Sequence, residues 1–262
     1  QTFQCLEEAG LPPGVANLLV APPEEYSDEA FGHPAVRKVS FTGSTAVGKT
    51  LMRRAADRVV RLSLELGGHA PFIVLPDADP EAVAKAAVAG KFRNNGQVCI
   101  APSRFYVHKD VERRFTEAVV ESARALRVGN GLEPGVEVGP MIEASRLEAT
   151  AALIDDARAH GAAILTGGSR STRFDHGWFF EPTVLTDVTP DCRILNEEPF
   201  APVMPLLDFE RLDEVIAQVV LAATRSLRSG ARRPPTSKSR RARRNRHGRR
   251  PRCRTRGAGT GR

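Results

Sequence analysis

Hydrophobic periodicity switches twice between Val36 and Leu66, and this constrains the fold more than any other feature of the chain. Val36–Thr42 alternates as a strand does, and Gly43-Ser44 interrupts it. Ala46–Val60 then has the longer spacing of a helix, with Ser44 or Thr45 placed as its cap, and Val60–Leu66 returns to strand. Upstream, Gln1–Ala9 reads as a helix stopped at Gly10, with Pro12-Pro13-Gly14 as a turn. Val15–Val20 reads as a short buried strand and Ala21–Pro34 as a Pro- and acid-rich loop. Helix and strand in alternation imply a parallel sheet of the α/β class.

A second block opens at Gly67-Gly68. Pro71–Leu75 is expected to be a strand, and Asp79–Phe92 a helix capped by Asp79 with Pro80 in its first position. Ser103–His108 is a strand, Val111–Leu126 an amphipathic helix and Ser145–His160 a helix closed by Gly161. Ala163–Thr166 follows as a strand, and Trp178–Val188 is extended. There is no internal repeat. From about Gln218, Pro, Gly and Arg dominate and the periodicity is lost. Such a segment buries too little apolar area to offset its ordering entropy. The chain divides accordingly into 1–66, 67–217 and a disordered Arg-rich tail, 218–262.

That tail distorts the charge balance. The formal charge of the 262 residues is +7, yet residues 225–262 hold 15 Arg and one Lys and no acid. Removing those 16 from the 38 basic residues leaves 22 against 31 acidic, so the body is near −9. A body of that sign does not call for a polyanion partner. No apolar run is long enough to span a membrane, and the N-terminus lacks the pattern of a signal peptide. Cys5, Cys99, Cys192 and Cys253 are far apart and form no CxxC. Zinc-ligand spacing and a dense disulfide framework are therefore unsupported, and reduced thiols in the cytoplasm fit best.

Residues 43–50, Gly-Ser-Thr-Ala-Val-Gly-Lys-Thr, match the GxxxxGK[ST] phosphate-loop pattern, between a strand and a helix as that loop requires. An acid, Asp77, even follows the apolar run Phe72–Leu75, although Pro76 interrupts the step. A glycine turn lets backbone approach phosphate, and the helix start favours negative charge. The motif alone leaves three readings open: a triphosphate, a dinucleotide pyrophosphate, or a plain strand–turn–helix junction. A triphosphatase would lose ATP turnover in Lys49→Ala; no such turnover is expected.

Four motifs in register decide between them. Phe41-Thr-Gly-Ser-Thr45, Leu64-Glu-Leu-Gly-Gly68, Asn95-Gly-Gln-Val-Cys99 and Glu197-Glu-Pro-Phe200 occur in this order over about 160 residues. Together they resemble the aldehyde dehydrogenase superfamily, and the likeness covers about residues 1–215. The resemblance implies part of a Rossmann-type NAD(P)-binding domain (1–66) followed by part of an α/β catalytic domain (67–217). It implies Cys99 as nucleophile and Glu65, 34 residues earlier, as general base. The residue types suit the chemistry. A thiolate adds to an aldehyde carbon and later departs as the sulfur of a thioester. A carboxylate of raised pKa can then activate water. Either residue alone would be unremarkable: a buried structural thiol and a surface strand acid.

The same likeness assigns NAD or NADP contacts to Gly43, Ser44, Val47, Leu66, Glu198 and Phe200. It implies no metal. Where the family motif has Gly after its Phe, this chain has Ala201, and a slightly displaced loop is expected. Gly68-His-Ala-Pro-Phe72 and Lys91-Phe-Arg-Asn94 resemble the succinate-semialdehyde dehydrogenase branch. There Arg93 would hold the substrate carboxylate, as a guanidinium does bidentately. Related α-ketoglutarate-semialdehyde branches share the region. A second cysteine two residues after the nucleophile is replaced by Ala101, which leaves a redox pair without basis.

Against the family pattern the chain begins just after the Lys-Pro-x-Glu motif, and the Arg-rich tail stands where the oligomerisation strand would be. The sequence is thus read as the middle portion of a longer enzyme. The intact family forms homo-oligomers, but the strand that builds them is missing here. Exposed strand edges and little or no activity are expected unless a complementary segment is supplied. The tail has three readings: an out-of-frame translation of GC-rich DNA, a nucleic-acid-binding extension, or a solvated polybasic end. The first is preferred, because family-like sequence stops abruptly and no aromatic residues are interleaved for base stacking. The alternative to an enzyme is a polyanion-binding protein with a non-catalytic core. Salt-sensitive binding lost on cutting at Gln218 would mark it.

Overall fold

The computed structural model describes residues 1–228, and the Arg-rich tail beyond Arg228 lies outside the described residues. The elements run α1 (Thr2–Glu8), α2 (Pro23–Gly32), β1 (Lys38–Gly43), α3 (Thr45–Ala56), β2 (Arg61–Leu66), β3 (Ala70–Val74), α4 (Pro80–Phe92) and β4 (Pro102–His108). They continue α5 (Lys109–Ala125), α6 (Ala144–Ala159), β5 (Ala163–Thr166), β6 (Thr183–Thr186), β7 (Val203–Phe209) and α7 (Leu212–Arg228).

The strands form two sheets. β1 and β2 pair in parallel, with Val39 opposite Leu62 and Gly43 opposite Leu66. The larger sheet has the order β3-β4-β7-β6-β5. All its pairings are parallel except that of β5 with β6. Helices cover both of its faces, so β4 reads Ser-Arg-Phe-Tyr-Val through its buried centre rather than alternating. Phe105 and Val107 pack against α4 and α5, while Tyr106 meets Phe209 and Val215 of α7. β1 and β2 bury one face only: Val39, Phe41 and Leu62 lie on Phe31 of α2 and on Leu51 and Ala55 of α3.

Helix starts follow the sequence. Ser44 Oγ accepts from the Val47 N–H at the start of α3, and Asp79 Oδ1 accepts from Glu81 and Ala82 at the start of α4. Three expectations fail. Val15–Val20 forms no strand: Val15, Leu18, Leu19 and Val20 are 65–88% exposed, because no described strand lies beside them to complete a ladder. The Pro-rich stretch contains α2, in which Pro23 occupies the first helical turn, where a missing N–H costs nothing. Arg54 and Arg58 of α3 and its C-terminal turn fasten α2 through Asp28, Ser27 and the Phe31 carbonyl. Lastly, α7 passes through Gln218 to Arg228, so the helix outlasts the point where periodicity fades. Buried Val215, with Val219 packed beside it, anchors its start. No described helix is long and apolar enough to cross a membrane.

Candidate active site

β1 and β2 end side by side, Thr42 opposite Glu65 and Gly43 opposite Leu66. From Gly43 the chain turns at once into α3, whose first turn is capped by Ser44. α3 lies close on β2: a side chain at Gly48 would strike Leu66. From Leu66 the chain leaves through Gly67-Gly68 for the larger sheet. The carboxyl ends of parallel strands, beside such a change of sheet, are where α/β folds bind ligands.

Cys99 reaches the same place by a different route. α4 ends at Phe92, and Asn94, Asn95 and Gly96 take φ of 49°, 59° and 70°. This run of left-handed residues reverses the chain. Asn94 Nδ2 donates to the Gln97 carbonyl, and the Ile142 N–H donates to Gln97 Oε1, which tie the turn down. Gly96 is pressed against the Ala201 carbonyl, where no other residue fits. The Cys99 thiol is exposed on this loop.

Glu198 comes from the segment ahead of β7. Its carboxylate lies over Gly67, on the spot a β-carbon there would need. Burial pushes its pKa up, against the pull of the Gly68 N–H and the charges of Lys91 and Arg146. Lys91 is 1% exposed, and burial lowers its pKa to about 8 against the attraction of Glu198. Two residues on, Phe200 has a φ of 41°, which points to local constraint.

These elements enclose a cleft of ≈ 310 Å³, lined by Gly43, Ser44, Glu65, Leu66, Cys99, Glu198 and Phe200 together with Thr42, Gly67 and Arg146. Val47 instead lines an adjoining apolar cleft of ≈ 280 Å³ with Tyr26, Phe31 and Phe41. Arg93 is exposed and lines neither cleft, since it precedes the chain reversal. Glu65 is exposed at the strand end rather than buried. Sequence reasoning missed Arg146, the first-turn guanidinium of α6, because only the docking of α6 brings it here. It also gave no role to His69 or Lys91, although both lie in segments that it singled out. Among the described residues no three His, Cys, Asp or Glu side chains gather as a metal site.

The phosphate-loop alternative fails on topology. Asp77 follows β3, which lies in the larger sheet, whereas the Gly43 turn follows β1, which among the described residues pairs only with β2. An acid for a magnesium ion would have to sit on a neighbouring strand.

The cleft thus lies at paired strand ends, with a helix start on one wall and a thiol and carboxylates on the others. The model of the aldehyde dehydrogenase family matches residues 1–220, and the chain belongs to that family. Among curated relatives it is 44% identical over 217 residues to the probable succinate-semialdehyde dehydrogenase (NADP(+)) of Sinorhizobium fredii, covering 82% of this chain and 44% of the relative. It is also 44% identical over 210 residues to the 3-sulfolactaldehyde dehydrogenase of Pseudomonas putida, covering 80% and 43%. The crystal structure of succinate-semialdehyde dehydrogenase from Burkholderia pseudomallei superposes with a TM-score of 0.78 at 44% identity, covering 81% of this chain and 44% of that one. The chain thus spans less than half the length of the relatives it matches.

Proposed function

We propose that the chain carries the core of an NAD(P)-dependent aldehyde dehydrogenase that oxidises a small aldehyde bearing an acid group, such as succinate semialdehyde. The observation that carries this reading is the meeting of Cys99 and Glu65, 34 residues apart, in one cleft with the Gly43 turn and Glu198. Residues 1–66 are read as part of the NAD(P)-binding domain and 67–217 as part of the catalytic domain. The cleft suits a dinucleotide: the capped start of α3 offers backbone N–H groups to a pyrophosphate, and the glycine turn gives access. Gly43 and Ser44 would contact the adenosine and pyrophosphate side, with Val47 near the adenine, Leu66 beside the nicotinamide, Glu198 at its ribose and Phe200 near its ring.

Cys99 Sγ, as thiolate, adds to the aldehyde carbon and forms a thiohemiacetal. The nicotinamide, when bound, supplies the acceptor for the hydride that leaves this carbon. Glu65 then takes a proton from water, whose oxygen attacks the acyl carbon on Cys99 and releases the acid and the thiol. Arg146 gives the cleft a guanidinium for an anionic group. The two curated relatives are named for aldehydes that carry a carboxylate and a sulfonate, which supports an acidic substrate. Arg93, on the same turn as Cys99, is the second candidate for that contact. A cytoplasmic location and, in the full-length enzyme, a homo-oligomer complete the reading.

The test is to trap the acyl group. With NADP+ and succinate semialdehyde, Glu65→Gln should accumulate an acyl adduct on Cys99, seen by peptide mass spectrometry, and Cys99→Ser should show neither adduct nor NADPH. If neither the unmodified chain nor Glu65→Gln forms an adduct or NADPH even when the complementary segments of a full-length relative are supplied, the reading is wrong for this chain.

A further inference from the structure

The segment that carries Glu198 and Phe200 is fixed at both ends. Before it, the Arg193 guanidinium grips the Glu197 carboxylate with two hydrogen bonds of 2.8 and 2.9 Å, and Asn196 Nδ2 caps the Pro190 and Cys192 carbonyls. After it, the Thr183 N–H donates to the Pro202 carbonyl. Between these anchors the backbone reaches the cleft, and His69 meets it there. His69 Nε2 lies 2.8 Å from the Glu197 carbonyl oxygen, and its Nδ1 lies 2.9 Å from Ser103 Oγ. Arg104 Nη2 donates to the His69 carbonyl at 2.6 Å and so fixes the ring's own backbone. Residues 69, 103 and 197 come from the β2–β3 turn, from β4 and from the segment before β7.

We propose that His69 is a positioning residue: a neutral imidazole, clamped between Ser103 and the Glu197 carbonyl, that holds Glu198 and Phe200 over the cofactor cleft. The inference rests on the function proposed above. The geometry dictates the tautomer. A carbonyl only accepts, so Nε2 must carry the proton. A neutral ring has one N–H, so Nδ1 accepts and the Ser103 hydroxyl donates. The surroundings keep the ring neutral: burial, and the charges of Arg104 on β4 and Lys91 on α4, outweigh the Glu197 carbonyl and lower its pKa to about 4. A second proton on the ring would take away the acceptor of Ser103. The hydroxyl would be left with the Ala70 carbonyl at 3.5 Å. Lys91 also attracts the carboxylate of Glu198 itself, so the imidazole and the buried ammonium act on neighbouring residues of one segment.

Three measurements on the full chain test this. Long-range proton–nitrogen NMR of the unmodified protein should show His69 as the Nε2–H tautomer, without titration near the ordinary histidine range. The Nδ1–H tautomer, or titration in that range, overturns the proposal. The second measurement is NADPH binding by fluorescence. His69→Phe keeps the ring and removes the donor, and should weaken binding about tenfold, roughly what one hydrogen bond in this setting contributes. His69→Gln places an N–H where Nε2 was and should restore binding to within about twofold. Equal binding by all three chains overturns the proposal while leaving the function intact. The third is exchange of the Glu197 amide, which donates to the Arg193 carbonyl at 2.7 Å, and it needs no cofactor. Protection should persist in the unmodified chain and in His69→Gln and be lost in His69→Phe. If the unmodified chain binds no NADPH even with the complementary segments supplied, the proposed function fails, and the ring and exchange data decide the clamp alone.

Discussion

The two sheets use the same alternation of strand and helix, but only one of them has a dry interior. In the core around the five-stranded sheet, Phe105, Val107, Val184 and Met204 of the strands and Phe115 of α5 are 0% exposed, and helices cover both faces. Beside β1 and β2, every buried member of the core (Phe31, Leu51, Ala55 and Val60) retains 5–9% exposure, and the outer face of both strands is open. Burial of apolar area is the main force available to either. The larger sheet therefore supplies most of the stability, while the smaller one is held by a thin layer and by ion pairs such as Arg54–Asp28. Surface pairs of that kind contribute little. The cleft lies between these unequal partners. Its Cys99 wall rests on the firm core through α4, and its Gly43 wall belongs to the weak one.

The largest expected effect separates the two cores directly. Phe105, on β4 between β3 and β7, is buried against α4 and α5 and contacts Phe72 at a ring separation of 5.4 Å. Phe105→Ala should cost about 3–5 kcal/mol of global stability, the usual cost of emptying such a site. Phe41→Ala, on the half-open face of β1, should cost no more than about 1–2 kcal/mol. Urea unfolding followed by far-UV circular dichroism measures both. Equal costs would mean that the small core is as tightly coupled to the fold as the large one.

A smaller effect concerns opening rather than unfolding. Amides of β4 and β7 should exchange only through global unfolding, and those of β1 and β2 through a local opening of lower free energy. Native-state hydrogen exchange resolves the two classes, and a single class for all four strands would erase the distinction drawn between them.

The same inequality explains what the sequence made legible. The paired caps Ser44 and Asp79, the Gly43 turn and the alternation up to Leu66 are local patterns, and local physics settles them. Glu65, Cys99, Glu198 and Phe200 were singled out together because motif spacing carries a three-dimensional arrangement with it. Failures cluster where the outcome depends on a neighbour. Val15–Val20 has strand composition, but a strand exists only by pairing. Residues 23–32 looked like loop because Pro and acids were counted as breakers, although both suit the first turn of a helix. Arg146 went unnoticed because the docking of α6 leaves no periodic trace, and the chain reversal at Asn94 leaves Arg93 outside the cleft lining. His69 stood inside a quoted motif, yet its partners, Ser103 and the Glu197 carbonyl, are 34 and 128 residues away.

The smallest effect sets two equivalent caps against each other. Ser44 and Asp79 each accept backbone N–H bonds at a helix start, one in each region, at 3.3 and 3.2 Å. Ser44→Ala should cost about 1 kcal/mol of α3 stability. Because α3 packs on the small core, that loss should appear in the exchange of α3 amides more than in the global midpoint. Asp79→Ala should lower the global midpoint, since α4 is part of the large core. The caps differ also with pH. The Ala82 N–H, with that of Glu81, holds the Asp79 carboxyl below the ordinary aspartate range. A pKa depressed by folding means that the unfolded chain binds the proton first. The stabilisation is thus complete above the ordinary aspartate pKa and disappears as pH falls through the folded value. The difference between unmodified chain and Asp79→Ala should therefore shrink in acid, while that for Ser44→Ala, a cap without a titrating group, should not. An acid-insensitive Asp79→Ala would show that its carboxylate does not cap α4 in solution. A Ser44→Ala loss spread over all slowly exchanging amides would show that α3 opens only with the whole fold.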